Sequence, residues 1–158
     1  MSRLDLHPAS ASHTLSQLSN KAQSVGASFH AFTPYCPGAA AEIMEVIAHC
    51  FTVSGECHKL EDKLSDGGAA ARRNWETFHR EIKKTLCSVD YTFHDVHTIL
   101  GDGLLDAQDE GLSKSQVYWR IWQDINGAVR AESGNTLARR LKHYVGMLQE
   151  LVYLIKEG

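Results

Sequence analysis

The distribution of proline is the feature that most constrains how this chain can fold. Its three prolines lie at positions 8, 34 and 37, and none occurs from Gly38 to Gly158. Proline interrupts a helix because it lacks the backbone N–H and its ring clashes with the preceding turn. The chain beyond Pro37 can therefore be helical throughout, whereas residues 35–38 are predicted to form a turn.

Four stretches of this proline-free body carry apolar residues at helical spacing. They predict helices over about 39–64, 69–100, 114–132 and 137–155. Segments that contain glycine separate them, at residues 65–68, 101–111 and 133–136. Glycine supplies the backbone freedom that a helix end uses, and Ser113 or Ser115 can cap the third helix. Residues 101–111 are therefore predicted to be a loop or a short extra turn.

Four amphipathic helices without any strand pattern predict an all-α fold. The 158 residues, 43% of them hydrophobic, suffice for one domain with a single core. An antiparallel bundle of four long helices, with room for an additional N-terminal helix, is the simplest way to bury the four apolar stripes.

The Ser- and Ala-rich segment 1–37 is expected to precede a bundle domain that spans 38–158. Its apolar residues recur at alternating steps of three and four, which predicts an amphipathic helix from about Ser12 onward. These residues are Leu15, Leu18, Ala22, Val25, Phe29 and Phe32. Between Ser12 and Gly38 the only formal charge is Lys21. Such a helix is expected to be marginal unless its apolar face docks on something.

Charge and cysteine usage exclude several classes of function. The formal net charge is −3, from 16 basic and 19 acidic residues, which gives no field that would concentrate nucleic acid. The pairs Arg72-Arg73 and Arg139-Arg140 are interpreted as solvated helix faces. Four cysteines without CxxC spacing, and no signal peptide, indicate a reducing, cytoplasmic location. No apolar run is long enough to span a bilayer.

One group of residues suggests metal chemistry. Asp90, His94 and His97 stand at i, i+4 and i+7 of the second predicted helix, so all three could share one face. One helix offers only part of a tetrahedral zinc site, and no HExxH motif is present. A metal-binding protein or enzyme that uses these residues is kept as an alternative, beside the simpler interpretation that they flank a core stripe.

Other side chains with potential chemistry have a structural interpretation as well. Cys50 and Cys57 share a helix face beside His49 and His58, and buried packing is favoured because a buried cysteine behaves as a small hydrophobe. A Cys/His nucleophilic pair stays open, because its partners need to be close only in space. No dinucleotide, triphosphate or hydrolase motif occurs, so no cofactor is predicted and a non-enzymatic role is favoured.

Three sequence stretches carry a resemblance to a known group of proteins. They are Arg72-Arg-Asn-Trp75, residues 89–96 (VDYTFHDV) and residues 132–137 (ESGNTL). With them, the sequence from Tyr35 to Gly158 resembles helical N-terminal domains of fungal proteins, and is similar in style to the N-terminal modules of STAND-type NTPases and HeLo-like proteins. The resemblance implies signalling, self-association or membrane-directed activity. The chain ends on helix-forming residues, which suggests that it is the front of a longer protein.

The leading hypothesis is a helical protein-interaction or scaffolding module in fungal intracellular signalling, which binds a protein partner or a second copy of itself. The alternative is a HeLo-like domain that associates with a membrane surface through its N-terminal stripe. Lys and Arg are scarce there, which counts against it. Trp119 lies off the main stripe of its predicted helix and is the best interface candidate among the tryptophans. The candidate interaction residues are Leu15, Leu18, Val25, Phe29, Phe32 and Trp119.

Overall fold

The structure, a computed structural model, describes residues 4, 6–107 and 111–157. Within these ranges the chain forms six α-helices and no β-strand, which confirms the all-α class. The helices are α1 (Pro8–Phe29), α2 (Ala40–Asp66), α3 (Gly68–Thr77), α4 (His79–Ala107), α5 (Lys114–Ser133) and α6 (Leu137–Glu157). Two 3-10 turns, His30–Phe32 and Pro37–Ala39, connect α1 to α2.

Local sequence explains the two ends of α5. Ser113 caps its start: the Ser113 hydroxyl accepts a hydrogen bond from the Gln116 backbone N–H at 3.3 Å, and the Gln116 side chain accepts one from the Ser113 N–H at 3.1 Å. This reciprocal pair satisfies two donors that a helix start leaves unpaired. Gly134 ends α5 with a φ of 73°, a left-handed conformation that glycine adopts at low cost.

The second predicted helix differs from the structure by a division within it and at its C-terminal end. It is divided at Phe78 into α3 and α4, although Trp75, Phe78 and Ile82 keep helical spacing across the division. Residues 101–107 of the segment predicted as a loop or short extra turn, 101–111, are helical instead, because α4 continues to Ala107. A Cβ atom on Gly103 would lie 2.6 Å from Ile121 Cγ1. This glycine therefore permits close packing of α4 on α5 and does not end the helix.

The segment predicted to precede the bundle belongs to the same core. α1 packs along α2, and α2 also packs along α6. At Gly26 the first two helices approach so closely that a Cβ atom there would lie 2.8 Å from Cys50 Cβ. The boundary expected at residue 37 does not separate a tail from the core, since apolar residues from both sides of it form one buried cluster.

Polar contacts fasten the helices to one another across this core. The fully buried indole of Trp75 donates a hydrogen bond from Nε1 to the Leu6 carbonyl at 2.9 Å. Asn74 donates from Nδ2 to the Ile155 carbonyl at 2.9 Å, which joins α3 to α6. Buried donors are paired in this way because an unpaired one would cost about 1–3 kcal/mol. Both contacts depend on the position of α3 relative to the two chain ends.

Candidate functional site

The apolar stripe of α1 is covered by the protein itself. Its five large side chains are each at most 2% exposed. They are Leu15, Leu18, Val25, Phe29 and Phe32. Phe29 packs edge-on against Trp122, with ring centroids 5.7 Å apart. These residues stabilise the core and are not available at the surface to a partner or a membrane, which corrects their selection as interaction residues.

The structure places Asp90, His94 and His97 in different environments. Asp90 is 5% exposed, and its Oδ1 lies 3.3 Å from Lys21 Nζ of α1. His94 and His97 are exposed on α4. In the described ranges, no group of three or more His, Cys, Asp or Glu side chains could hold a metal ion. The carboxylate of Asp90 joins α4 to α1, and the helical spacing that suggested a metal face does not bring three ligands together.

The cysteines of α2 lie in the core. Cys50 and Cys57 are both fully buried, and burial raises the pKa of each thiol to about 12. For Cys57, the charge of Glu56 contributes to this rise beside the larger effect of burial. A reactive cysteine needs its thiolate, which a raised pKa disfavours. Their neighbour His49 pairs with Glu45 at 3.4 Å, so packing explains this cluster better than nucleophilic chemistry does.

Trp119 is 40% exposed, as its position off the main stripe predicts. It borders a surface groove of about 330 Å³ between α5 and the first turn of α2. Other residues that line the groove are Glu42, Trp122, Gln123, Asn126 and Arg130. The groove is open, and the indoles of Trp119 and Trp122 line it beside polar and charged side chains.

A second surface of interest lies along the solvent side of α2. Five residues spaced by alternating steps of three and four are exposed there and carry no charge: Ala41, Met44, Ala48, Phe51 and Gly55. We call them the α2 outer face. Met44 is 51% and Phe51 39% exposed. The spacing is that of a seam between two packed helices, yet no helix in the described part of the chain covers it.

The uncharged character extends from this face onto α1. The Phe51 ring lies near the His30 ring, with centroids 6.4 Å apart. From Ala22 to Ala41 the chain has no Asp, Glu, Lys or Arg. Solvent-exposed helix surfaces ordinarily carry about one quarter to one third charged residues. This stretch lies beside exposed Met44 and Phe51, and the exposed carboxylate of Glu45 stands at the edge of the α2 outer face. The uncharged part of this surface indicates a contact area more than a solvated one.

A polar cavity of about 150 Å³ lies between α4, α5 and α6. Arg140 on α6 is half-buried at its edge. Its Nε donates a hydrogen bond to the Tyr144 hydroxyl at 2.9 Å, and its Nη2 donates to Ser88 Oγ at 3.0 Å. The guanidinium also lies over the Tyr144 ring, 4.8 Å from the centroid. These three contacts hold the cation in one orientation.

Negatively charged side chains also border this cavity. Asp95 of α4 and Glu132 of α5 line it, and Tyr91 donates from its hydroxyl to Glu132 Oε1 at 3.1 Å. This hydrogen bond raises the pKa of Tyr91, and the negative charge of Glu132 adds to the effect. The Tyr144 hydroxyl contacts Thr92 Oγ1 at 2.7 Å and donates to the Ser88 carbonyl at 3.0 Å. Hydroxyls and charges of both signs thus face one space.

Sequence reasoning did not identify the α2 outer face or the polar cavity. Arg139-Arg140 was interpreted as a solvated pair, and only Arg139 is exposed. The four-residue step from Arg140 to Tyr144 was a possible signal, because it places the guanidinium beside a tyrosine on the core stripe. The sequence also carried a sign of the α2 outer face. The helix has one set of apolar residues at helical spacing for the core and a second, uncharged set at the same spacing on another side.

The chain was compared with family models, curated proteins and solved structures, and no match was found. None of the helices in the described ranges is long and apolar enough to cross a membrane.

Proposed function

We propose that this protein is a helical protein-interaction module that self-associates through the α2 outer face. The observation that carries the proposal is the uncharged, exposed seam from Ala41 to Gly55, which would extend for about 21 Å along the helix axis. Large exposed apolar side chains in helical register are the usual means by which one helix binds another. The resemblance to fungal helical modules that act in signalling and self-association is in keeping with it.

A second copy of the chain is the occupant that fits this seam best. An interface with two-fold symmetry sets each residue against a different residue of the other copy, except at the axis, where a residue meets its own copy and a charge would repel itself. The α2 outer face carries none. A heterologous partner with charged residues would instead leave them desolvated against Met44 and Phe51, at a cost in affinity.

The residue order along α2 suggests an antiparallel pair centred on Ala48. Antiparallel pairing about this residue sets Ala48 against its own copy, Ala41 against Gly55, and Met44 against Phe51. Small residues at three of the five positions would let the helix backbones approach closely. Met44 and Phe51 would gain a sulfur–aromatic contact, which is worth about 0.3–1.5 kcal/mol.

Substitution of charged residues into the seam tests the proposal. We expect the chain to be a dimer by light scattering during gel filtration, and Met44→Glu/Ala48→Glu to be a monomer with an unchanged helical circular dichroism spectrum. The two carboxylates introduced at position 48 would face each other across the axis, where opposed like charges are destabilising. Each carboxylate introduced at position 44 would be desolvated against Phe51 of the other copy. Leu105→Glu, which changes a residue 65% exposed on α4, is the matched control and should stay dimeric.

Crosslinking tests the position of the axis. Ala48→Cys should form an intermolecular disulfide under mild oxidation, since a disulfide needs Cα atoms about 4.4–6.8 Å apart. Ala41→Cys, off the axis, should not. A monomeric wild-type chain at the highest attainable concentration contradicts the proposal, as does a dimer that persists in the double glutamate variant. Binding to lipid vesicles by a monomeric wild-type chain would favour the membrane alternative.

We further propose that the long helices form the antiparallel bundle expected from the sequence. The connection between α5 and α6 is short, and α5 and α6 pack against each other, which favours opposite directions for these two helices. Trp119 is proposed as a separate contact residue for another protein. Trp119→Ala should weaken that binding and leave self-association unchanged.

A further inference from the structure

The polar cavity between α4, α5 and α6 contains charges that are not neutralised by each other. No guanidinium nitrogen of Arg140 lies within 4.0 Å of a carboxylate oxygen in the described part of the chain, although Asp95 and Glu132 line the same space. An arginine has five N–H donors, and the contacts to Tyr144 and Ser88 use two of them. Its remaining donors are available to a ligand.

The arginine is held in place before any ligand arrives. Tyr144 is 1% exposed, and its hydroxyl is fixed by contacts to Ser88 and Thr92. Arg140 stacks on the ring of that same tyrosine. A side chain fixed in its binding orientation loses little conformational entropy on binding, which favours affinity. Arg140 therefore has the fixed donors that a carboxylate group would need.

The charge balance of the cavity selects the class of ligand. A pure anion such as phosphate would meet one guanidinium but two carboxylates, Asp95 and Glu132. A pure cation would be attracted by the two carboxylates but would leave the guanidinium donors of Arg140 without an acceptor. A small molecule that carries both a carboxylate and an ammonium group can pair with the guanidinium and with the carboxylates of the cavity. The volume of about 150 Å³ is far above the roughly 10–15 Å³ that one water molecule needs.

We propose that this cavity binds a small zwitterion of the α-amino acid class. Arg140 binds its carboxylate, Asp95 and Glu132 bind its ammonium group, and the hydroxyls of Ser88 and Tyr91 line the space between. This site lies on α4, α5 and α6, away from the α2 outer face. It is independent of the self-association proposal.

Titration of the full chain with L-alanine tests the proposal. Binding is measured by calorimetry and by the NMR signal of the Arg140 Nε–H group. We expect saturable binding with a Kd below about 1 mM and a shift of that signal. Propionate has only the carboxylate and ethylammonium only the cation, so each should bind at least about tenfold more weakly, since a charged contact is worth about 1.5–3 kcal/mol and tenfold is about 1.4 kcal/mol.

Substitutions at the two ends of the cavity complete the test. Arg140→Gln should weaken L-alanine binding at least about tenfold, and Arg139→Gln, its exposed neighbour, should leave it unchanged. Because Arg140→Gln can also disturb packing around Tyr144, Glu132→Gln is the second variant: it should weaken L-alanine binding without altering that of propionate. Absence of saturable L-alanine binding, propionate binding as tight as that of L-alanine, or equal effects of Arg139→Gln and Arg140→Gln would overturn the proposal.

Discussion

Burial decides the chemistry of the cysteines. Cys50 and Cys57 are fully buried on α2, whereas Cys87 on α4 is partly exposed. Spacing along the sequence placed the first two on one helix face but could not show whether a cation or a base would lower the pKa of either thiol. The structure surrounds them with apolar groups, so both are packing residues. A nucleophilic role would need a neighbouring cation or base that lowers the thiol pKa.

The thiols should therefore differ in reactivity. A pKa of about 12 for Cys50 and Cys57 leaves about a thousandfold less thiolate at pH 8 than an ordinary thiol has, and burial also limits access. We expect iodoacetamide to alkylate Cys87 in the native protein and to leave Cys50 and Cys57 unmodified, as measured by peptide mass spectrometry. In guanidinium chloride all of them should react. Native alkylation of Cys50 at the rate of Cys87 would contradict this assignment.

Helix ends show where local sequence is sufficient and where it is not. The start of α5 at Ser113 and its end at Gly134 follow from capping residues that act over one turn. The division of α3 from α4 at Phe78 has no such signal, because the apolar spacing continues across it. Gly103 led to the opposite error, because it was taken as part of a loop although the helix continues through it. Its small size permits close contact with Ile121 of α5.

The glycine at the end of α5 should be replaceable only at a cost. Gly134 has a φ of 73°, a conformation in which a Cβ atom costs roughly 1–2 kcal/mol. Gly134→Ala should lower the free energy of unfolding in urea by about that amount. The control is Gly127→Ala in the same helix, where an added Cβ meets nothing within 4 Å. It should raise stability by about 0.5–1 kcal/mol. Equal effects of the two substitutions would refute the left-handed cap.

One core joins the N-terminal helix to the rest of the described chain. α1 contributes large buried side chains, and Lys21 of α1 pairs with buried Asp90 of α4. Close approach of α1 to α2 at Gly26 leaves no room for a loosely docked tail. The segment that composition marked as separate is thus part of the folded unit, because docking on α2 supplies the stability that its own propensity lacks.

Deletion of residues 1–36 should abolish cooperative folding. The five large apolar residues of α1 and of the 3-10 turn after it each contribute roughly 1.5–3 kcal/mol by burial, and their sum is comparable with the 5–15 kcal/mol that stabilises a typical domain. We expect the fragment 37–158 to lack a sigmoidal urea transition and the near-ultraviolet circular dichroism of packed aromatic rings, while the full chain shows both. A fragment that unfolds with the midpoint of the full chain would show that α1 is dispensable.

The sequence by itself determined that the chain is helical, where α2, α5 and α6 begin and end, and which side of each helix is apolar. These properties act over one or two turns, through proline, capping residues and the 3.6-residue period. The tertiary structure decided what each apolar side contacts. It buried the α1 stripe, left the α2 outer face exposed, paired Asp90 with Lys21 and placed Arg140 in one cavity with two carboxylates. Such outcomes depend on the distance between helices remote in sequence, which no local periodicity encodes.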